Sequence, residues 1–292
     1  MTEIYRVLLL TLLALTQGAA IQETPSLTIS PVAPAPGAIV RLTVTDPAKE
    51  ADAMYGEMAG EQVHFRQASP GVWVGYGPIP TDATGEIEAF ALIGGESDTL
   101  RASVTIPKPP ASTRSRAPRA LSVSPRFTRP MDAETEARIA RENETARSIG
   151  RASHETPRMW TAPFLRPRES VVTSRFGSGR MFNGTLTSRH LGVDFRGQTG
   201  EPVRAANRGV VALVDNFFLA GNVIYIDHGE GIVTAYFHLS KATVAKGDTV
   251  ARGERIGLVG ATGRVTGPHL HWSARYGAVT VNPLDLITVT RP

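Results

Sequence analysis

No cysteine occurs among the 292 residues. That absence excludes disulfides, thiol catalysis, cysteine-ligated zinc and a lipid-modified cysteine anchor. Long hydrophobic runs are scarce as well. The most apolar stretch lies at the start, where Arg6 precedes residues 7–15 and the small residues Gly18 and Ala20 follow in TQGAA. A membrane-spanning helix needs about 20 apolar residues, so this run is too short to give a stable span. It fits an export signal over residues 1–20, with a buried N-terminal helix as the alternative. Internal repeats, low-complexity tracts and the aromatic-plus-basic interleaving of a single-strand nucleic-acid groove are not evident. Nucleic acid is therefore not an expected partner. Export without disulfides is compatible with a periplasmic or secreted protein of a bacterial envelope.

What is present describes a globular protein: 41% hydrophobic and 20% charged residues, with 28 glycines and 21 prolines for many turns. The net charge of +4 is unevenly spread. Residues 26–107 hold ten acidic side chains against four basic ones, while arginines crowd residues 108–168. Within 26–107 the runs SLTISP, IVRLTVT, VHFRQ, VWVGYGPI, IEAFALI and LRASVTI alternate between Pro, Gly and Asp clusters. Short alternating strands with turn signals predict a small antiparallel, Ig-like sandwich. Its one histidine, His64, stands alone in the sequence and is expected on a strand surface.

Residues 108–168 form a basic linker. KPPASTRSRAPRA cannot build a core, and DAETEARIARENETARSIG predicts a helix near 132–149. Asp132 is placed to cap it, Glu134 and Arg138 are four apart, and Gly150 is placed to end it. The apolar face is thin, as in a helix lying on another surface or bridging domains. His154 follows in a loop-like stretch and reads as incidental. From residue 169 to 292 the chain becomes a dense series of strands joined by glycines, and no helical period lasts. The expected class is all-β, with one helix in the linker.

Five of the seven histidines fall in that last region: His190, His228, His238, His269 and His271. His269 and His271, in GPHLHW, are two apart and share a strand face. In SRHLGVDFRG, His190 and Asp194 share a face of an extended segment, with Gly192 between them. A catalytic zinc needs three protein ligands and an open position, and His190, Asp194 and one histidine of HLH would supply such a set. Alone, HxxxD reads as a hydrogen-bonded turn; together with HxH in one β region it points to a metal. His238 ends the alternating face Thr234, Tyr236, His238 and is placed to enter a cleft. His228, in DHGEG, reads as hairpin-turn chemistry.

The motifs SRFGSGRMFNG, HLGVDF, GNVIYIDHGEGIVTAYFHLS and GRVTGPHLHW, spread over about residues 168–286, together resemble the lysostaphin-type (LytM-like) zinc metallopeptidases. The resemblance implies a β-sandwich-like catalytic domain that cuts peptides of bacterial peptidoglycan. By motif, His190, Asp194 and His271 would hold one Zn²⁺, and His238 and His269 would be the two catalytic histidines outside the metal shell. The implied activity is a zinc-dependent endopeptidase hydrolysing stem-peptide or bridge crosslinks through a metal-activated water. The alternatives are a wall-binding scaffold or activator of other wall hydrolases, and a zinc hydrolase of another peptide. Asn183, in RMFNG, either offers its amide to the substrate or is a turn asparagine.

Overall fold

The computed structural model describes residues 24–46, 54–93, 98–107, 119–184 and 186–291. The proposed export signal and the proline-rich start of the linker lie outside them. Residues 26–106 form two four-stranded antiparallel sheets. One orders the strands Ser26–Ser30, Ile39–Thr45, Val72–Pro78 and Arg66–Ser69; the other orders Glu61–His64, Met54–Met58, Gly85–Ile93 and Asp98–Ile106. Alternate residues face each other between them: Leu27, Ile29, Val40, Leu42 and Val44 from one sheet, Met58, Val63, Ala89, Ala91, Val104 and Ile106 from the other. Two features differ from the sequence pattern. VHFRQ is two strands, because the chain crosses from one sheet to the other at buried Phe65, and MYGEM adds a strand.

The C-terminal half is built on a ten-stranded sheet. Its middle runs from Val193–Arg196 to His269–Tyr276, then Ile232–Ala242, Gly221–Gly229 and Gly209–Phe217. One face buries Val193, Phe195, Ile224, Ile226, Tyr236, Leu270 and Trp272 in the main core. The other face carries a smaller cluster around Val223, Tyr225, Val233 and Ala235. Helix α1 (Ala133–Ala152) covers that second face with Ala146 and Ile149. A short helix α2 (Pro283–Val289), which the sequence pattern does not announce, closes the end of the main core with Leu286.

Helix α1 begins as its sequence predicts, with the Asp132 carboxylate accepting from the Thr135 N–H at 2.7 Å. Its other expectations change. Arg138 pairs with Glu142 at 2.7 Å, and the helix passes through Gly150 to Ala152. A Cβ on Gly150 would overlap the Gly277 carbonyl, so this glycine serves close approach and not termination.

The sandwich sits against the larger sheet. Ile39 and Tyr76 turn away from the sandwich interior and join the main core, where burying Ile39 contributes about 1.5–3 kcal/mol. Around them the Asn282 N–H donates to Gly37 O (2.7 Å) and the Tyr276 hydroxyl to Gln62 O (2.8 Å). The Ala278 N–H donates to the Glu61 carboxylate at 2.9 Å. Glu230 is bonded by both Arg66 and Arg158.

Candidate metal centre

Two adjacent strands create the centre. Val193–Arg196 pairs antiparallel with His269–Tyr276, and the register sets Asp194 directly opposite His271 and Arg196 opposite His269. Val193, Phe195, Leu270 and Trp272 fill the opposite face and fix the register, since a slip of one residue would bury the polar set in the core. His190 arrives from the preceding turn, held by its N–H on Ser178 O at 2.9 Å. Gly192 makes the room: a Cβ there would overlap the His271 imidazole and stand 2.7 Å from Trp272 O.

The side chains converge. His190 Nε2 lies 3.0 Å from His271 Nδ1 and 3.0 Å from Asp194 Oδ1, and His271 Nδ1 lies 2.9 Å from the same oxygen. Metal bonds of 2.0–2.2 Å in a tetrahedron place donors about 3.3–3.6 Å apart, so a small expansion of this triangle accepts an ion and leaves a fourth position open. His190, Asp194 and His271 are the one group of three or more such side chains among the described residues that could hold a metal ion. The atoms behind them support the same role. The His190 Nδ1–H points at Arg175 O (2.9 Å), which leaves the Nε2 lone pair for a metal. Asp194 turns its second oxygen to the Arg180 guanidinium.

Charge in the centre is set by burial and by these contacts. Burial alone would raise the Asp194 carboxyl, but its hydrogen bonds to His190 and His271 outweigh that and hold it well below the usual carboxylate range. His271 is pushed down to about 4, chiefly by burial. His238 is also lowered well below the ordinary histidine value, by burial first and by the neighbouring His269 and His271 next. At neutral pH the centre therefore presents the Asp194 carboxylate beside a neutral His271, the protonation states in which these groups bind metal.

His238 and His269 stand beside the triangle. His269 Nε2 is 3.7 Å from Asp194 Oδ1, and its ring centre is 4.9 Å from that of His238. Each anchors Nδ1 on a carbonyl: His269 on Gly267 O (2.9 Å) and His238 on Thr262 O (2.8 Å). A donor at Nδ1 leaves Nε2 as the acceptor. His238 reaches this place by a route the alternation does not give. Thr234 and Tyr236 point into the main core, and strict alternation would take His238 with them. The ladder instead shifts register, pairing Ile224 with Tyr236 but Asn222 with Leu239, so one extra residue is accommodated on the His238 strand. His238 takes φ +62°, and this bulge re-aims its ring to the groove.

The groove itself is a cavity of about 250 Å³ in which Ile139 and Glu142 of α1 face Phe237, His238 and His271.

Comparison with known proteins agrees with this geometry. The model of peptidase family M23 matches residues 188–283. These residues form a peptidase family M23 domain. The chain is 47% identical over 102 residues to the peptidoglycan DD-endopeptidase ShyA of Vibrio cholerae, covering 35% of this chain and 24% of that protein. It is 44% identical over 101 residues to the DD-carboxypeptidase/endopeptidase Mpg of Neisseria meningitidis, covering 35% of this chain and 23% of Mpg. The chain thus spans about a quarter of the length of these curated relatives. A crystal structure of a candidate peptidase M23 from Pseudomonas aeruginosa superposes with TM-score 0.65 at 26% identity, covering 88% of this chain and 96% of that one.

The remaining histidines lie outside the M23 groove, and three expectations about them are corrected. His228 is a fully buried strand residue: Nδ1–H donates to Arg208 O at 2.8 Å, and Nε2 lies 2.8 Å from the Thr234 hydroxyl. His64 is not alone. Its Nε2 meets His154 Nδ1 at 2.9 Å, and the rings stack. His154 is correspondingly not incidental, since its Nε2 lies 3.0 Å from Glu61 and its ring packs edge-on to Tyr276. Asn183 is the turn asparagine, at φ +49°, and its amide is occupied within the chain. It accepts from the Val123 N–H (2.9 Å) and donates to Val123 O and the Thr128 hydroxyl, both at 3.0 Å, pinning the linker to the groove rim. The sequence reading missed Arg180 behind Asp194; a basic residue in a hairpin carries no local mark of such a partner.

Proposed function

We propose that this protein is a zinc-dependent endopeptidase that hydrolyses peptide crosslinks of bacterial peptidoglycan. The observation that carries the proposal is the open three-donor triangle of His190, Asp194 and His271, with the acceptor nitrogens of two further buried or half-buried imidazoles beside it. Zinc in that triangle would polarise the scissile carbonyl and lower the pKa of its water to about 7. Arg180 holds Asp194 so that one oxygen faces the two histidines. His238 enters neutral, and it and His269 are oriented by Thr262 O and Gly267 O respectively. One accepts the proton of the attacking water at Nε2 and delivers it to the leaving amine; the other, its Nε2 also an acceptor, takes a hydrogen bond from the same water and holds it in line.

The names of the relatives, a peptidoglycan DD-endopeptidase and a DD-carboxypeptidase/endopeptidase, support a wall peptide as substrate. On this reading residues 1–20 direct export, the protein works in the periplasm or outside the cell, and residues 169–292 are the catalytic domain. The sandwich of residues 26–107 and the linker of residues 108–168 position it. No helix of the described residues is long and apolar enough to cross a membrane. Mass spectrometry of purified peptidoglycan after incubation with the zinc-loaded chain tests the proposal. New peptide termini at crosslinks, with glycan strands intact, are expected; crosslinks left whole would refute it.

A further inference from the structure

A second cavity of about 260 Å³ opens on the other side of Arg180, and the charge on its walls is predominantly positive. Arg119, Arg180, Arg196 and Arg264 line it, against the single carboxylate of Asp194. That carboxylate is already committed to His190, His271 and Arg180. Among the described residues the Arg119 side chain reaches the carbonyl of Thr173, at 3.5 Å. Arg196 and Arg264 have no side-chain hydrogen bond or ion pair among the described residues, and Arg264 is the less exposed of the two. Its guanidinium lies 4.3 Å from the centre of the Phe182 ring, and its backbone N–H is fixed on Leu219 O at 2.8 Å. Among the described residues its side chain has no hydrogen bond or carboxylate partner. It also lines the first cavity, beside His238 and His271.

A half-buried guanidinium without a counter-charge, facing a second guanidinium, is held at a cost in free energy. Burial and the nearby Arg180 both work against its charge. The Phe182 ring, centred 4.3 Å from the guanidinium carbon, takes none of its donors and so leaves them to a planar, bidentate acceptor. Within a peptide the only anions are carboxylates, on side chains or at a C-terminus. We propose that Arg264, flanked by Arg196, forms a carboxylate-binding subsite that selects peptides bearing a free carboxylate close to the scissile bond. The proposal rests on the endopeptidase reading for the identity of the peptide.

The test uses a soluble dimer of crosslinked stem peptides in three forms: all carboxylates free, side-chain carboxylates amidated, and C-terminal carboxylates amidated. Binding to the metal-stripped full chain is measured by calorimetry, and kcat/KM is measured on the zinc-loaded chain. The free form should be favoured over one amidated form by about 10- to 100-fold in both readouts, as for a charge-assisted hydrogen bond. The amidated form that loses identifies the carboxylate. Arg264→Gln should abolish most of that preference, and Arg264→Lys should restore part of it, because it keeps the charge without the fork. Arg196→Gln, on an exposed side chain, should weaken the preference to a smaller degree and stands in should Arg264→Gln fail to fold. Equal binding and cleavage of the three forms, or an Arg264→Gln loss of one factor on all three, would overturn the subsite. Cleavage of none, with the binding preference intact, would sink the endopeptidase reading and leave the subsite standing.

Discussion

The groove and the contact between the sandwich and the larger sheet are both furnished with histidines and carboxylates, and the two use them in opposite ways. At the contact, His154 meets His64 through one ring nitrogen and Glu61 through the other. Buried His228 is likewise satisfied at both nitrogens, in a chain that runs from the Ala206 N–H through the Tyr236 and Thr234 hydroxyls. In the groove, His190, His238 and His269 each spend Nδ1 on a backbone carbonyl and aim Nε2 at a shared space. A histidine with both nitrogens satisfied holds structure together. One with a nitrogen left free toward others of its kind is prepared for a metal or a proton. Burial alone does not separate them, for His228 and His271 are both buried.

Substitutions can break that contrast. The largest effect is expected at the triangle itself. His190→Ala or Asp194→Ala should lose zinc and activity together, because three ligands leave no redundancy. Elemental analysis of the purified variants checks this, and undiminished zinc in both would remove them from the metal shell. Next comes His238→Ala, which should keep its zinc and lose about 10²–10⁴-fold in kcat, the usual worth of general acid–base catalysis. A zinc-to-protein ratio measured beside turnover of peptidoglycan separates the two losses.

Protonation sharpens the contrast from the other side. His228 is held down to about 4 by burial, against 6.5 when exposed. Between those values the unfolded chain binds the proton and the folded chain does not. The contribution of His228 to stability is therefore whole above pH 6.5 and declines as pH falls toward 4, by up to about 3 kcal/mol. Chemical denaturation between pH 7.5 and 4.5 should show this fall, and His228→Gln should make it shallower by the His228 share, leaving the part due to His238 and His271. The smallest effect is expected at the contact with the sandwich. Glu61→Gln leaves the His154 and Ala278 contacts weakened and should cost about 1–2 kcal/mol of stability. Thermal melting measures that cost, while kcat on peptidoglycan should be unchanged.

Much of the groove was legible in the sequence because it rests on local geometry. The strand period alone puts His269 and His271 on one face, and the ladder adds Asp194 opposite His271. The all-β class followed from alternation and turn residues in the same way. What was not legible depended on distant parts of the chain. His238 faces the groove because of a bulge, and no residue type near it announces the extra residue. His64 and His154 meet across 90 positions. The Asn183 amide is engaged by a linker segment whose path is set by packing of Val123 and Phe127 on Phe182. Ile39 and Tyr76 read as sandwich residues by alternation, yet they complete the core of the other half.

A hydrolytic zinc centre requires the two histidines of GPHLHW to behave differently although they share a strand face. His271 sits in the triangle at 2.9 Å from Asp194 Oδ1, whereas His269 stands at 3.7 Å with its ring anchored on Gly267. Zinc content measured side by side on purified His271→Ala and His269→Ala tests this most directly. The prediction is loss of zinc from His271→Ala and full zinc, with kcat reduced about 10²–10⁴-fold, in His269→Ala. If His269→Ala sheds zinc as readily as His271→Ala, both are ligands. The site is then closed with four protein donors, and no position remains for the water that hydrolysis requires.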